Sequence, residues 1–172
     1  MCFFLLVFRE LVICYTTDMK IVIASDHAGF DLKSYLVKSL RESGHDIVDM
    51  GNSIHNDTDD YPDYIKLVGE YISEYNNPKQ YRGIVIGGSG QGENICVNKF
   101  VNVRSVLIYG NDRELNTTIA KLSRQHNNAN VMSLGARFIE QNRALEIVHI
   151  WLEENFSNEE RHIRRLLKIE NK

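Results

Sequence analysis

Several residue types are scarce in this chain of 172 residues, and their scarcity excludes some classes of protein. The three cysteines are odd in number and lack the spacing of a metal site, so the sequence predicts reduced thiols in a cytoplasmic protein and no disulfide framework. A net charge of only −3 gives no electrostatic reason to expect a nucleic acid or a membrane as partner. Internal repeats, low-complexity segments and linkers are also absent, which favours a single domain.

The first 18 residues, MCFFLLVFRELVICYTTD, differ in kind from the rest. Their apolar run is interrupted by Arg9 and Glu10, so it is too short to cross a bilayer. It also lacks the basic start and small-residue cleavage site of a secretory signal. We therefore interpret residues 1–18 as an N-terminal extension and residues 19–172 as the functional domain. An additional peripheral strand or helix is the alternative for the extension.

Strand-like and helix-like segments alternate along the rest of the chain. Short apolar runs predict strands at 20–25, 45–50, 83–86, 103–108 and 130–134, and the composition of the runs at 20–25 and 83–86 is that of buried strands. Apolar residues at helical spacing predict the intervening helices and a final charged helix over 158–170. This alternation predicts an α/β fold: a Rossmann-like three-layer αβα sandwich with a five-stranded parallel sheet and a C-terminal helix. We expect the flavodoxin-like strand order 2-1-3-4-5.

In that strand order, a ligand binds outside the carboxyl ends of strands one and three. Asp26 and His27 follow strand one, and the loop Gly87-Gly88-Ser89-Gly90-Gln91-Gly92 follows strand three. The two loops with the most chemically versatile residues are therefore expected to face each other across one crevice.

The loop over residues 87–92 has four glycines in six residues, so its backbone N–H groups can approach an anion closely. Its glycines at 88, 90 and 92 do not match the dinucleotide fingerprint, and no Gly-Lys-Ser/Thr follows. Glu93 comes next and would repel a bound phosphate, whereas a site that stabilises an enolate beside a general base uses both features. The simpler interpretation is a strand–turn–helix whose first-turn acid is favoured by the helix dipole.

Four other polar residues need no catalytic or metal-binding role to explain them. Asp26 has the position of a helix cap, and His126 that of a histidine at a helix C-terminus. Asp59 and Asp60 resemble a metal-binding pair only superficially, because no histidine or third carboxylate has a matching spacing. We expect no metal at that pair.

Arginines supply the possible phosphate ligands. Arg137 follows strand five, at the same edge of the predicted sheet as the first two loops. Arg161 and Arg165 are four residues apart and share a face of the last helix. Such a pair is either a solvated basic surface or a clamp for a phosphate group.

Seven segments occur together in one order: SDHAGFDLK (25–33), DYPDY (60–64), GGSGQGE (87–93), NK (98–99), RQHNNANV (124–131), LGAR (134–137) and RHIRR (161–165). With these motifs the chain resembles the type B ribose-5-phosphate isomerases, a family that also includes galactose-6-phosphate isomerase subunits. One form of the family has a cysteine base at the position of Gly87, and the other has glycine there and a glutamate at the end of the loop. Gly87 and Glu93 place this sequence with the glutamate form.

The resemblance implies an enzyme that interconverts D-ribose 5-phosphate and D-ribulose 5-phosphate through a cis-enediolate, in the non-oxidative pentose phosphate pathway. It implies no metal or organic cofactor. It also implies a homodimer or higher homo-oligomer whose active sites are shared between subunits, with the C-terminal helix as a plausible contributor to the neighbour.

The resemblance also assigns roles to individual residues. His126 and Asp26 would open the sugar ring, and Glu93 would move the proton between C2 and C1. Ser89 would relay a proton between the two oxygens. The remaining substrate-binding residues would hold the enediolate, the hydroxyls and the phosphate: His27, Tyr61, Gly88, Gly90, Gln91, Gly92, Asn127, Arg137, Arg161 and Arg165.

Three alternatives stay open at this point. The substrate could be a six-carbon aldose phosphate, such as allose 6-phosphate or galactose 6-phosphate, with Tyr61, Tyr109 and the loop 111–113 setting the pocket length. The chain could instead be a flavodoxin-like module that binds a nucleotide or FMN. It could also be an inactive homologue, although Asp26, Glu93, His126 and the arginines together argue against that.

Overall fold

The computed structural model describes residues 19–170, so the predicted extension 1–18 lies outside the described residues. Five strands and six helices follow the predicted alternation. The strands are β1 (Lys20–Ser25), β2 (Asp46–Asp49), β3 (Tyr81–Gly87), β4 (Ser105–Ile108) and β5 (Val131–Gly135). The helices are α1 (Phe30–Glu42), α2 (Tyr61–Glu74), α3 (Gln91–Val97), α4 (Arg113–Asn127), α5 (Gln141–Glu153) and α6 (Glu160–Glu170). Within this part of the chain, no helix is long and apolar enough to cross a membrane.

All five strands are parallel and form one sheet covered on both faces, as predicted. Alternate side chains of the strands point to opposite faces, so two separate apolar cores form. On one face, Leu36 of α1 and Trp151 of α5 are fully buried against the sheet. On the other face, Ile65 and Val68 of α2 are fully buried. The three-layer αβα sandwich is therefore confirmed, whereas the single-domain assignment of residues 19–172 stays a prediction.

The predicted strand order was wrong in its last two positions. The observed order is β2-β1-β3-β5-β4, so β5 lies inside the sheet and β4 at its edge. The difference matches burial: all five residues of β5 are buried, whereas Ser105, Val106 and Leu107 of β4 are only half-buried. A central strand has neighbours on both sides, so it loses more of its surface to the sheet than an edge strand does.

This change brings a third loop to the predicted crevice. Strands β1 and β3 are neighbours, with Ser25 opposite Ile86, so the crevice between their carboxyl ends is confirmed. Strand β5 pairs with the other side of β3, so the residues after β5 lie beside the glycine loop. The backbone N–H of Ala136 donates to the Gly87 carbonyl at 2.8 Å, and that of Arg137 donates to the Gly88 carbonyl at 3.0 Å.

Candidate active site

The glycine loop between β3 and α3 is held tightly against β5. Gly90 has a φ of +74°, and a Cβ added there would lie 2.9 Å from the Leu134 carbonyl carbon. Both the backbone conformation and the close approach therefore require glycine. The buried hydroxyl of Ser133 donates to the Gly90 carbonyl at 2.7 Å and so attaches the loop to β5.

The loop presents donors that have no partner. In the described part of the chain, the N–H groups of Gly88, Ser89 and Gly90 find no hydrogen-bond acceptor. The Ser89 hydroxyl accepts a hydrogen bond from the Gln91 N–H at 3.3 Å, which turns the Ser89 oxygen toward the start of α3. Unpartnered amides on a rigid loop are suited to binding a negatively charged oxygen.

Glu93 lies in the first turn of α3 and is only 4% exposed. Its carboxylate packs against the bare backbone of Gly87, where an added Cβ would lie 1.9 Å from Oε1. Burial raises the pKa of Glu93, and the negative charge of Asp26 raises it further. A desolvated carboxylate with a raised pKa is more basic, and such a group is suited to proton abstraction.

Asp26 ends β1 and is 7% exposed. Its Oδ1 accepts a hydrogen bond from the Gly29 N–H at 3.2 Å, so the capping role considered for Asp26 is real. Asp26 also contributes to the raised pKa of Glu93, which places its charge in the same crevice. The structural and the catalytic interpretations of Asp26 are therefore compatible.

His27 is held in place by Asp59, a residue to which the sequence pattern assigns no role. Oδ1 of Asp59 accepts from His27 twice, from the ring Nδ1 at 2.7 Å and from the backbone N–H at 3.0 Å. Oδ2 of Asp59 accepts from the Asn52 amide at 2.8 Å. The hydrogen bond to Asp59 raises the pKa of His27. Burial acts to raise the pKa of Asp59, but the hydrogen bonds from His27 and Asn52 leave it below its usual range.

Ligand atoms of Asp26, His27 and Asp59 all lie within 4.8 Å of one another, so the fold brings to Asp59 a histidine and a further carboxylate that the spacing in the sequence does not indicate. Asp59 belongs to the polar loop 51–60, which has no periodicity that could have placed it beside β1. The His27 ring uses Asp59 as a hydrogen-bond acceptor in this arrangement. The absence of a metal from the site stays a prediction.

Tyr61 and Arg137 close the crevice from two sides. Tyr61 begins α2, and a Cβ added to Gly92 would lie 2.9 Å from its hydroxyl oxygen. Arg137 is exposed, and its guanidinium lies 3.1 Å from the position of a Cβ on Gly88. Phenol and guanidinium therefore lie against the two ends of the glycine loop, where both could contact a bound substrate.

Four of the expected site residues lie elsewhere on the chain: His126, Asn127, Arg161 and Arg165. The His126 ring stacks on His162, with 4.3 Å between ring centroids and 9° between planes. His126, Asn127 and Arg165 border one cavity of about 680 Å³ beside the edge strand β4. Nε of Arg161 is bonded to Glu159 at 2.8 Å.

Topology places this second group of residues at the amino ends of the strands, opposite the crevice at their carboxyl ends. Helix α4 ends at Asn127, and the chain then enters β5 at its amino end, Val131. Asp26, Glu93 and Arg137 lie at the carboxyl ends of the strands. A single copy of the chain therefore divides the expected site residues between two edges.

A family model described as Ribose/Galactose Isomerase matches residues 21–169 of this α/β chain. The chain belongs to this family. It is 34% identical to ribose-5-phosphate isomerase B of Mycobacterium leprae over 151 residues, 87% of each protein. It is 38% identical to a putative sugar phosphate isomerase of Rickettsia bellii over 152 residues, 87% of this chain and 96% of the relative.

A solved structure agrees with these matches. Ribose-5-phosphate isomerase B of Mycoplasma genitalium, solved with bound ribulose 5-phosphate, superposes with a TM-score of 0.80 at 35% identity. The match covers 88% of this chain and 93% of the other. These findings support an isomerase and give no support to a flavodoxin-like binding module.

The Asp59 contact predicts how His27 titrates. Asp59→Asn removes the charge that favours the protonated imidazole, so we expect the pKa of His27 to fall toward its ordinary value. His27 then loses its positive charge at a lower pH than in the wild type. A titration of the His27 ring by NMR measures this shift.

Asp60→Asn is the matched control, because the Asp60 side chain makes no capping hydrogen bond. An unchanged His27 titration in Asp59→Asn, or an equal shift in both variants, would contradict the assignment.

Proposed function

We propose that this chain is an aldose–ketose isomerase that interconverts D-ribose 5-phosphate and D-ribulose 5-phosphate. The observation that carries the proposal is the buried Glu93 carboxylate beside a loop of unpartnered amides. The named relatives and the structural neighbour with bound ribulose 5-phosphate support this substrate over a six-carbon aldose phosphate.

Chemistry at C2 requires a base and a place for negative charge. The aldehyde next to C2 makes the C2 proton acidic, and Glu93 takes that proton and returns it to C1. The enediolate oxygens are bound by the amides of Gly88, Ser89, Gly90 and Gly92, and the Ser89 hydroxyl relays a proton between O1 and O2. Preorganised amides stabilise the developing charge without a metal or organic cofactor.

The same crevice provides for the rest of the sugar phosphate. Asp26 takes part in ring opening, Tyr61 contacts a hydroxyl group and Gln91 lies at the mouth of the loop. Arg137 is exposed above Gly88 and forms no ion pair within residues 19–170, so its charge is available for the 5-phosphate. The hydrogen bond to Asp59 raises the pKa of His27 and so favours the protonated imidazole, which would add a second positive charge.

His126, Asn127, Arg161 and Arg165 act in this proposal on the substrate of a second copy of the chain. His126 opens the sugar ring with Asp26, Asn127 contacts a hydroxyl group, and the two arginines complete the phosphate site. Asn127, Arg161 and Arg165 are exposed, as residues that reach a neighbour must be. In a two-fold dimer, each crevice then receives this group from its partner, and both sites are complete.

The surface around the second group fits a homodimer. Nine of the twelve large exposed apolar side chains in the described part of the chain lie on α3, α4, α6 or the segments beside β4 and β5. They are Ile95, Val101, Tyr109, Leu115, Leu122, Phe138, Ile163, Leu167 and Ile169. Of these side chains, Ile169 borders the cavity that His126 and Arg165 also line, and contiguous exposed apolar patches mark protein interfaces. We also propose a cytoplasmic location, where cysteines stay reduced, and Cys96 is a free thiol.

Glu93→Gln tests the base. With ribose 5-phosphate in D₂O, the wild type is expected to form ketose with deuterium incorporation. The variant should lose about 10²–10⁴-fold in kcat, which is the usual contribution of a general base. Because burial raises the pKa of Glu93, wild-type activity should fall as the pH drops through a value above the ordinary glutamate range.

Two results would contradict the assignment of Glu93. One is full activity of Glu93→Gln, and the other is a pH–rate profile that stays flat from about pH 4 to about pH 9. A wild type that turns over only six-carbon aldose phosphates would change the substrate and keep the base. No turnover of any of them would indicate an inactive homologue.

Gly87→Ala tests the packing of the base. The added Cβ would lie 1.9 Å from Glu93 Oε1, so the carboxylate must move, and we expect a loss of kcat of at least about 100-fold. Circular dichroism should show an intact fold. Gly44→Ala is the control for general strain, since Gly44 has a φ of +87° with nothing within 4 Å of an added Cβ. Near-normal kcat in Gly87→Ala would refute the packing argument.

Mixed dimers test whether the sites are shared. Glu93→Gln and His126→Ala should each be nearly inactive alone. If each site combines Glu93 of one copy with His126 of the other, equal mixing with subunit exchange should restore about one quarter of wild-type activity. Half of the dimers are then mixed, and each has one intact site.

Glu93→Gln mixed with Asp26→Asn is the control, because both residues lie at the same sheet edge and no mixed dimer has an intact site. Failure of the first mixture to regain activity, with exchange shown by mass spectrometry, would refute shared sites. A fully active monomer would refute them as well.

A further inference from the structure

A second cavity lies at the amino edge of the sheet, away from the crevice that contains Glu93. Its volume is about 570 Å³, and it lies between the starts of β1 and β3, the end of α4 and the segment after α5. Met19, Lys79 and Arg82 border it on one side, and Arg124, Asn128 and Asn155 on the other. Within the described residues, no aspartate or glutamate borders this cavity.

Arg82 is buried in the wall of this cavity with almost no hydrogen bonds. It is 2% exposed, and its one hydrogen bond within residues 19–170 runs from Nη1 to the Tyr81 carbonyl at 3.3 Å. Its Nε is buried without a partner there. A buried guanidinium normally binds a carboxylate or several carbonyl groups, whereas Arg82 has one carbonyl partner and the face of the Trp151 ring, so most of its N–H groups are left without an acceptor.

Arg124 adds a second buried positive charge. It is also 2% exposed, but it donates to the Glu154 carbonyl, the Asn128 side chain and the Ala129 carbonyl. None of these acceptors is charged. Burial lowers the pKa of Arg82 to about 9, with the nearby charges of Arg124 and Arg104 contributing. Burial lowers the pKa of Arg124 to about 10, with Arg104 contributing and the Glu154 carboxylate acting in the opposite direction, so both guanidiniums are charged at neutral pH.

We propose that this cavity binds a phosphate-bearing anion, either inorganic phosphate or a small phosphomonoester. Arg82 supplies the unpartnered guanidinium N–H groups, which match phosphate oxygens in geometry and charge. Lys79 at the opening adds a positive charge. Asn128 uses its Oδ1 for Arg124, so its amide nitrogen is available as a donor. The volume is sufficient for a phosphate with a short carbon chain.

The chain contains a specific reporter for this cavity. Trp151 is its only tryptophan, and the Arg82 guanidinium lies 5.6 Å from the centre of the Trp151 ring. An anion bound to Arg82 therefore changes the electrostatic environment of that ring. The proposed catalytic crevice, at the other edge of the sheet, has no tryptophan to respond.

The experiment is a titration of the full chain with inorganic phosphate at pH 7 and constant ionic strength, followed by tryptophan fluorescence. We expect a saturable change in the wild type. Arg137→Ala, which removes one arginine of the proposed catalytic phosphate site, should show the same change. Arg82→Met should weaken binding at least about tenfold while isomerase activity is kept.

Lys79→Ala gives a second, independent variant, since Lys79 is exposed and its truncation leaves the fold intact. It should weaken binding by about threefold, as expected for one screened surface charge. Glycerol 3-phosphate is the second probe. Tighter binding of glycerol 3-phosphate supports a phosphomonoester ligand, and tighter or equal binding of inorganic phosphate supports the free ion.

The proposal is overturned by a wild type without a saturable change. It is also overturned if Arg137→Ala removes the change, which would assign the signal to the catalytic crevice. If Arg82→Met and Lys79→Ala both bind phosphate as tightly as the wild type does, the proposal is refuted as well. If Arg82→Met does not fold, Lys79→Ala alone decides.

Discussion

The contact between the Glu93 carboxylate and the backbone of Gly87 is the constraint on which the site depends. Strand β3 can pass this close to α3 only because residue 87 has no Cβ, since such an atom would lie 1.9 Å from Oε1. The same proximity buries the carboxylate and raises its pKa. It also holds the carboxylate beside the amides of the glycine loop, so a single contact positions both the proposed base and the proposed anion-binding amides. The family's two loop forms then have a steric explanation: a cysteine side chain at position 87 and a glutamate at position 93 would occupy the same space.

Much of the fold was predictable because buried strands and amphipathic helices have different periods. The alternation gave the elements, the parallel sheet and the crevice between β1 and β3. The order of β4 and β5 was not predictable in this way, because strand pairing depends on contacts between segments distant in sequence. The Val131–Gly135 strand is buried at every position, but the burial of short apolar strands is not visible from their residue types alone.

The site shows the same division between local and long-range information. Glu93 follows directly from its place after a glycine loop, so a local pattern was enough. Asp59 acts through a contact with His27, which is 32 residues away in sequence, and its own loop gave no sign of that partner. The position of His126 was in fact implied by the predicted topology. A helix that leads into a parallel strand must end at the amino edge of the sheet, whereas Asp26 and Glu93 follow strands at the carboxyl edge. The motifs assign His126 to the site, whereas the topology separates it from Glu93, and the proposed homodimer would reconcile the two.

The two edges of the sheet also differ in how they hold positive charge. At the carboxyl edge, Arg137 is exposed, so water solvates its guanidinium and its charge costs little stability. At the amino edge, Arg82 is buried and has gained one carbonyl contact and the face of the Trp151 ring, without any carboxylate to pair with its charge among the described hydrogen bonds and ion pairs. An apolar residue of similar size could fill the same space against Trp151 without that cost. Packing alone therefore does not account for an arginine at position 82, whereas an anion bound in the adjoining cavity would supply the missing compensation and would stabilise the folded state in proportion to its binding.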